Sequence, residues 1–158
     1  MSQKKMSKIE DRLVSLGIEL PNPPPAQGNY VGAVTYGNLV YLSGSGPMNE
    51  DGTFIVGKVP TEISEEEAYQ ATRLTGLNLL ANLKAEIGDL DRFKRMVKAL
   101  GMVNAEPDFK AQPKVINGFS DLMVEIFGDA GRGARSAVGM GSLPAGIPVE
   151  IEVIVEIE

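Results

Sequence analysis

Arg135 follows a glycine-rich approach, Gly131-Arg132-Gly133-Ala134, and opens the stretch Arg135-Ser136-Ala137-Val138. A guanidinium presents a rigid planar fork that grips a carboxylate through two parallel hydrogen bonds. Two readings stand for it: an anchor for a small anion, or a surface arginine paired with one of the 21 acidic residues. Glu150 is the second candidate. A carboxylate near Arg135 can hold or activate a water. The alternative is a solvated strand face shared with Glu152 and Glu156. Ile154 lies on that same face, which an oligomer interface covering it would explain. Tyr30, directly after Gly28-Asn29, either lies over a planar substrate or packs at a strand edge. Asn117 falls at the start of a helix, where it can serve the first turn. Ser43-Gly44-Ser45-Gly46-Pro47 is a sharp strand exit whose backbone a ligand can approach closely. It is not a phosphate-binding loop, because no Gly-Lys-Ser/Thr ending follows.

The residue types that are missing narrow the chemistry further. The 158 residues include no histidine and no cysteine. Histidine-based general bases, catalytic triads, thiol chemistry, disulfides and most zinc sites are thereby excluded. Arginine, lysine, carboxylates, tyrosine, serine, asparagine and the backbone remain. A pocket made of these binds an anion and positions a water. The formal net charge of −6 and the scattered basic residues argue against a nucleic-acid partner. The one basic cluster is Arg92, Lys94, Arg95 and Lys98, with Lys94 and Lys98 on one face if the segment is a strand. No apolar run is long enough to span a membrane, and MSQKKMSKIEDR has lysines without the apolar core of a secretory signal. A cytoplasmic location is the expectation.

These candidates are positioned by a single α+β domain. Ser7 and Glu10 form a capping box for a short helix over 8–16, and Gly17 stops it. PNPPPAQGN is an extended connector, since proline fixes φ and donates no hydrogen bond. A hairpin follows, with strands near 30–35 and 39–43 about Gly37-Asn38. Asp51-Gly52 turns into a short strand at 53–56. Ser64 and Glu67 cap a long helix ending at Gly88, with Ala68, Ala71, Leu74, Leu77, Leu80 and Leu83 as its apolar stripe. A strand over 92–105, a helix near 114–127 behind Pro113, and strands over 134–140 and 149–157 complete the chain. This order predicts one sheet with two helices packed on its apolar face.

Four segments in this order resemble the YjgF/RidA family, also called the L-PSP or reactive-intermediate deaminase family. They are PAQGNYVGAV, NLVYLSGSGP, VINGF and ARSAV…SLPAGIPVEIEVIVEI. The resemblance covers roughly residues 24–158, leaving 1–23 as an N-terminal extension with a short helix. It implies a chorismate-mutase-like fold with a mixed sheet, and a homotrimer with pockets between neighbours. The implied activity is hydrolysis of enamines and imines such as 2-aminoacrylate and 2-imino acids to 2-oxo acids and ammonia, with no metal and no cofactor. By the same resemblance, Arg135 binds the substrate carboxylate and Glu150 holds the attacking water. Tyr30, Ser43, Gly44, Asn117 and Ala137 contact the substrate. The chain departs from the family at Ala137, where cysteine is frequent, at Ser45, where glutamine is frequent, and in a longer loop around Ala111-Gln112-Pro113. Alternative functions are a non-catalytic binder of small carboxylates and, third, an endoribonuclease.

Overall fold

The alternation in VEIEVIVEI makes β5 (Val149–Ile157) the centre of a five-stranded sheet: its five odd-numbered residues are buried and both its edges are paired. The computed structural model describes residues 7–158; residues 1–6, the start of the lysine-bearing N-terminal stretch, lie outside the described residues. The strand order is β1–β2–β5–β3–β4, with β1 Ala33–Tyr36, β2 Leu39–Ser45, β3 Phe93–Asn104 and β4 Ala134–Met140. Only β3 and β4 run parallel, so the sheet is mixed, as expected. Helices α2 (Glu65–Ile87) and α3 (Gln112–Phe127) cover one face and pack on each other. The other face carries no helix among the described residues. Along it run Val34, Tyr41, Ile154 and Lys98 in one row across four strands.

Both capping boxes read from the sequence are formed or half-formed. The Ser64 side chain and Glu67 satisfy each other's backbone N–H groups at the start of α2. Ser7 accepts from the Glu10 N–H at the start of α1 (Lys8–Ser15). The carboxylate of Asp91 accepts the N–H groups of Lys8 and Ile9 at 3.0 and 2.9 Å. Unpaired helix N–H groups and a carboxylate attract each other, so these bonds tie α1 to the body of the domain. Leu13 completes the tie by entering the core.

Four expectations need correction. The first strand begins at Ala33, not at Tyr30, so Tyr30 belongs to the connector. The segment 53–56 makes one isolated bridge, Met48 to Phe54, and no strand. The apolar row of α2 does not run through Leu74 and Leu77, which are only half-buried; Thr72, Thr75, Gly76 and Asn78 are buried instead. A helix lying between a sheet and a second helix buries more than one stripe. Finally, β3 does not alternate evenly. Its pairing with β5 slips between Phe93 and Arg95 and again between Met96 and Lys98. Phe93, Met96 and Ala99 therefore point into the core and Val97 drops out of the set. Lys94 and Lys98 still share the open face: Lys94 pairs with Glu156 at 3.2 Å, and the Lys98 ammonium donates to Ser136 Oγ at 3.0 Å.

Candidate functional site

The parallel pairing of β3 and β4 sets Arg135 opposite Ala99 and Ala137 opposite Gly101. Ala99 is buried beneath the helices, so Arg135 and Ala137 lie on the helix-covered side of an edge strand. The glycines before them allow this approach. A Cβ on Gly131 would overlap the backbone of Met123 in α3, and one on Gly133 would lie 2.7 Å from Met96 Cγ. The Arg135 guanidinium donates from Nη1 to Asn117 Oδ1 at 2.8 Å and to Ser120 Oγ at 3.0 Å. Those two acceptors are three residues apart and share one face of α3. Both Nη1 hydrogens are thus used, and the fork made by Nε and Nη2 keeps its donors. No carboxylate among the described residues lies within ion-pair distance of Arg135. The paired-surface-arginine reading therefore fails, and Arg132 pairs with Asp129 instead. Asn117 is in the second turn of α3, not at its start, and orients Arg135 instead of capping the helix.

Glu150 sits elsewhere. It pairs with Met102 across β5 and β3, and its neighbours Val149 and Ile151 point into the core, so Glu150 faces the open side of the sheet. Between Leu42 and Ser45 the β2–β5 register shifts by one residue, with Ser43 and Gly44 of β2 opposite Glu152 alone of β5. This bulge turns Gly44 toward Glu150: a Cβ there would lie 2.7 Å from Oε2. Neither Glu150 oxygen bonds to another described residue. Partial burial, and secondarily the charge of Glu152, raise its pKa above the ordinary carboxylate value.

Ser43, Gly44 and Tyr30 share one cleft of about 70 Å³ with Pro24, Pro25, Ala26 and Gln27 of the connector, and with Met48, Phe54 and Asn82. Ser43 Oγ donates to Val31 O at 2.6 Å, and the Tyr30 hydroxyl accepts the Gln27 N–H at 3.1 Å. The proline-rich connector is therefore one wall of the cleft. Within one chain the candidate residues fall into two groups: Arg135, Asn117 and Ala137 on the helix side of one sheet edge, and Tyr30, Ser43, Gly44 and Glu150 toward the other edge. Reading the sequence missed Ser120 and Asn82. Ser120 is detectable as the residue one turn beyond Asn117, and Asn82 as a polar interruption of an apolar helix. Among the described residues no group of acidic side chains is arranged to hold a metal, and no helix is long and apolar enough to cross a membrane.

Residues 10–149 match the family model described as "YjgF/chorismate mutase-like, putative endoribonuclease". The chain belongs to the YjgF/RidA family. It is 38% identical over 158 residues to Protein TCP17 of Trypanosoma cruzi, covering 99% of both chains. It is 34% identical over 143 residues to a 2-iminobutanoate/2-iminopropanoate deaminase of Dermatophagoides farinae, covering 89% of this chain and 95% of that protein. Among solved structures it superposes on Atu1372 of Agrobacterium tumefaciens, a protein of unknown function, with a TM-score of 0.86 and 43% identity over 95% and 94% of the two chains.

Proposed function

We propose that this protein hydrolyses 2-imino acids and their enamine tautomers to 2-oxo acids and ammonia, in pockets formed between neighbouring chains of a homotrimer. The observation that carries the reading is Arg135. Its guanidinium is held by two neutral acceptors and keeps its Nε–Nη2 edge for a carboxylate. The placement of Glu150 supports a pocket shared between chains, since within one chain it and Arg135 lie on opposite faces of the sheet. The open sheet face supports the assembly: Val34 and Tyr41 stay 52% and 45% exposed there, a patch that a second copy would bury.

In the proposed reaction Arg135 holds the substrate carboxylate and so fixes the C=N carbon. Glu150 accepts a proton from a water as its oxygen bonds to that carbon. The C=N π pair moves to nitrogen, giving a tetrahedral carbinolamine. The proton held by Glu150 passes to that nitrogen, and the carbinolamine hydroxyl proton follows it through Glu150; the C–N bond then breaks as the C=O bond forms, and ammonia leaves. Water is consumed and no redox change occurs. Imines hydrolyse readily, so positioning supplies most of what is required.

The test generates imines in situ from several amino acids with an oxidase and follows their decay. Wild type is expected to accelerate decay and Arg135→Ala to lose that acceleration. Unchanged turnover in Arg135→Ala overturns the reading. Stabilisation by 2-oxo acids without any turnover leaves a carboxylate-binding protein in its place. RNA cleavage that survives purification and disappears with Arg135→Ala would move the reading to the endoribonuclease description.

The raised pKa of Glu150 predicts the pH profile. Water activation needs the ionised carboxylate, so turnover falls as pH drops through that raised pKa. Glu152→Gln removes the neighbouring negative charge, and the acid limb is expected to move to lower pH. An acid limb that persists unchanged in Glu150→Gln would take Glu150 out of the rate-limiting step.

A further inference from the structure

Asn78, Asn82 and Glu86 recur every four residues and form a polar line along α2, facing the β1–β2 side of the domain. The outer two are occupied. Asn78 is buried and its amide nitrogen donates to Gly46 O and to Met48 O, both at 3.1 Å. Glu86 accepts from Thr35 Oγ1 at 2.8 Å. The middle one has no hydrogen bond to any described residue. Its side chain lies under Gly32, where a Cβ would come within 3.4 Å of the amide group, and lines the cleft that Ser43 and Gly44 share. Beside it the cleft presents Pro24, Pro25, Met48 and Phe54, while its other polar side chains, Gln27, Tyr30, Ser43 and Ser45, come from the connector and β2. An occupant that covers this unpaired carboxamide desolvates it, which is costly unless the occupant supplies a donor and an acceptor of its own. A cleft of about 70 Å³ exceeds the roughly 10–15 Å³ that one water needs, so a side chain of a few heavy atoms enters.

We infer that Asn82 contacts the substrate side chain and selects 2-imino acids whose side chain ends in an amide or hydroxyl group. The inference rests on the imine-hydrolase reading for the identity of the reacting group. The carboxylate is held at Arg135 and the C=N carbon lies near Gly44 and Glu150. The side chain then runs past Ser43 toward α2, and its terminal polar group meets the Asn82 amide. Asparagine and leucine side chains have the same shape and differ in hydrogen bonding, so they separate polar selection from size.

The test compares imines formed from asparagine and from leucine, with wild type, Asn82→Leu and Asn82→Ala. In parallel, the corresponding 2-oxo acids, 2-oxosuccinamate and 4-methyl-2-oxopentanoate, are titrated by calorimetry. Wild type is expected to favour the amide member of each pair by about tenfold, the scale of one satisfied hydrogen-bonding group. Asn82→Leu is expected to lose or invert that preference, and Asn82→Ala to lose it. A ratio unchanged in both variants, a wild-type preference for the branched alkyl member, or no binding of either 2-oxo acid overturns the inference. Arg135→Ala separates the two readings, because it lowers both substrates together and leaves their ratio intact. Absence of all imine turnover defeats the hydrolase reading alone; the calorimetric ratio still decides the role of Asn82.

Discussion

Refolding an equimolar mixture of Arg135→Ala and Glu150→Gln chains is expected to restore about a quarter of the wild-type imine hydrolysis that neither variant shows alone. On the proposed reading each variant fails for a different reason. Removing the guanidinium forfeits a bidentate, charge-assisted pair, and two such bonds lower kcat/KM by about 100- to 1,000-fold. Replacing the carboxylate with an amide removes the proton acceptor, a loss of about 100- to 10,000-fold. Arg135 hangs on the helix side of β4 against Asn117 and Ser120, and Glu150 faces the open side of β5 beside Gly44. If each site takes Arg135 from one chain and Glu150 from the next, a site is intact when the first is a Glu150→Gln chain and the second an Arg135→Ala chain. Random mixing meets each condition half the time, so about one site in four is whole, whatever the number of chains in the closed ring. Light scattering then reads the number of chains. A mixture no more active than the sum of its parts would place both residues' roles within one chain or remove one of them from the chemistry.

That division between faces explains what a sequence reader can and cannot recover here. The hairpin at Gly37-Asn38, the capping box at Ser64 and the strands over 134–140 and 149–157 were all legible, because each is specified by a few neighbouring residues. The resemblance in four segments located the family. The irregularities of β2 and β3 were not legible. A bulge is a property of a pair of strands, and nothing in LVYLSGS alone states that two of its residues will lie opposite one of β5. The same holds for Arg135 and Glu150. Alternation separates odd from even positions within a strand, but which set faces the helices depends on which layer is packed against it. Asn82 was hidden by treating α2 as a helix with one apolar stripe. Once α3 lies along a second side of α2, the line Asn78–Asn82–Glu86 becomes a third, polar side with its own partners.

Gly118→Ala is expected to destabilise the fold by about 3 kcal/mol and to lower the melting temperature by roughly 6–12 °C. Gly118 lies in the middle of α3, against Tyr69 and Thr72 of α2 at the crossing of the two helices. A Cβ there would overlap Thr72 Oγ1 and the carbonyl oxygen of Tyr69. Thr72 Oγ1 is itself bonded to Tyr69 O at 2.7 Å and lies 3.1 Å from Val115 O, so the overlap falls on a backbone carbonyl and on a buried hydroxyl that loses its bonds if it rotates away. Gly76, on the α2 side of the same crossing, is the control. A Cβ there would meet Leu122 Cδ2 at 2.8 Å, Phe119 Cδ2 at 3.2 Å and Met123 Cε at 3.3 Å, all ends of side chains that can shift. Both substitutions gain about 1 kcal/mol of helix propensity, which offsets much of the small adjustment at Gly76 but only part of the overlap at Gly118. The melting temperature of Gly76→Ala is expected to stay within about 3 °C of wild type. The crossing bears on the site as well, because Asn117 precedes Gly118 and Ser120 follows it by two residues. Pushing α3 away from α2 displaces both acceptors of Arg135. At a temperature where Gly118→Ala remains folded, KM for the imine is expected to rise while Gly76→Ala keeps the wild-type value. Equal melting temperatures for the two variants would show that the crossing relaxes as a unit, and that α3 is not held in place by Gly118.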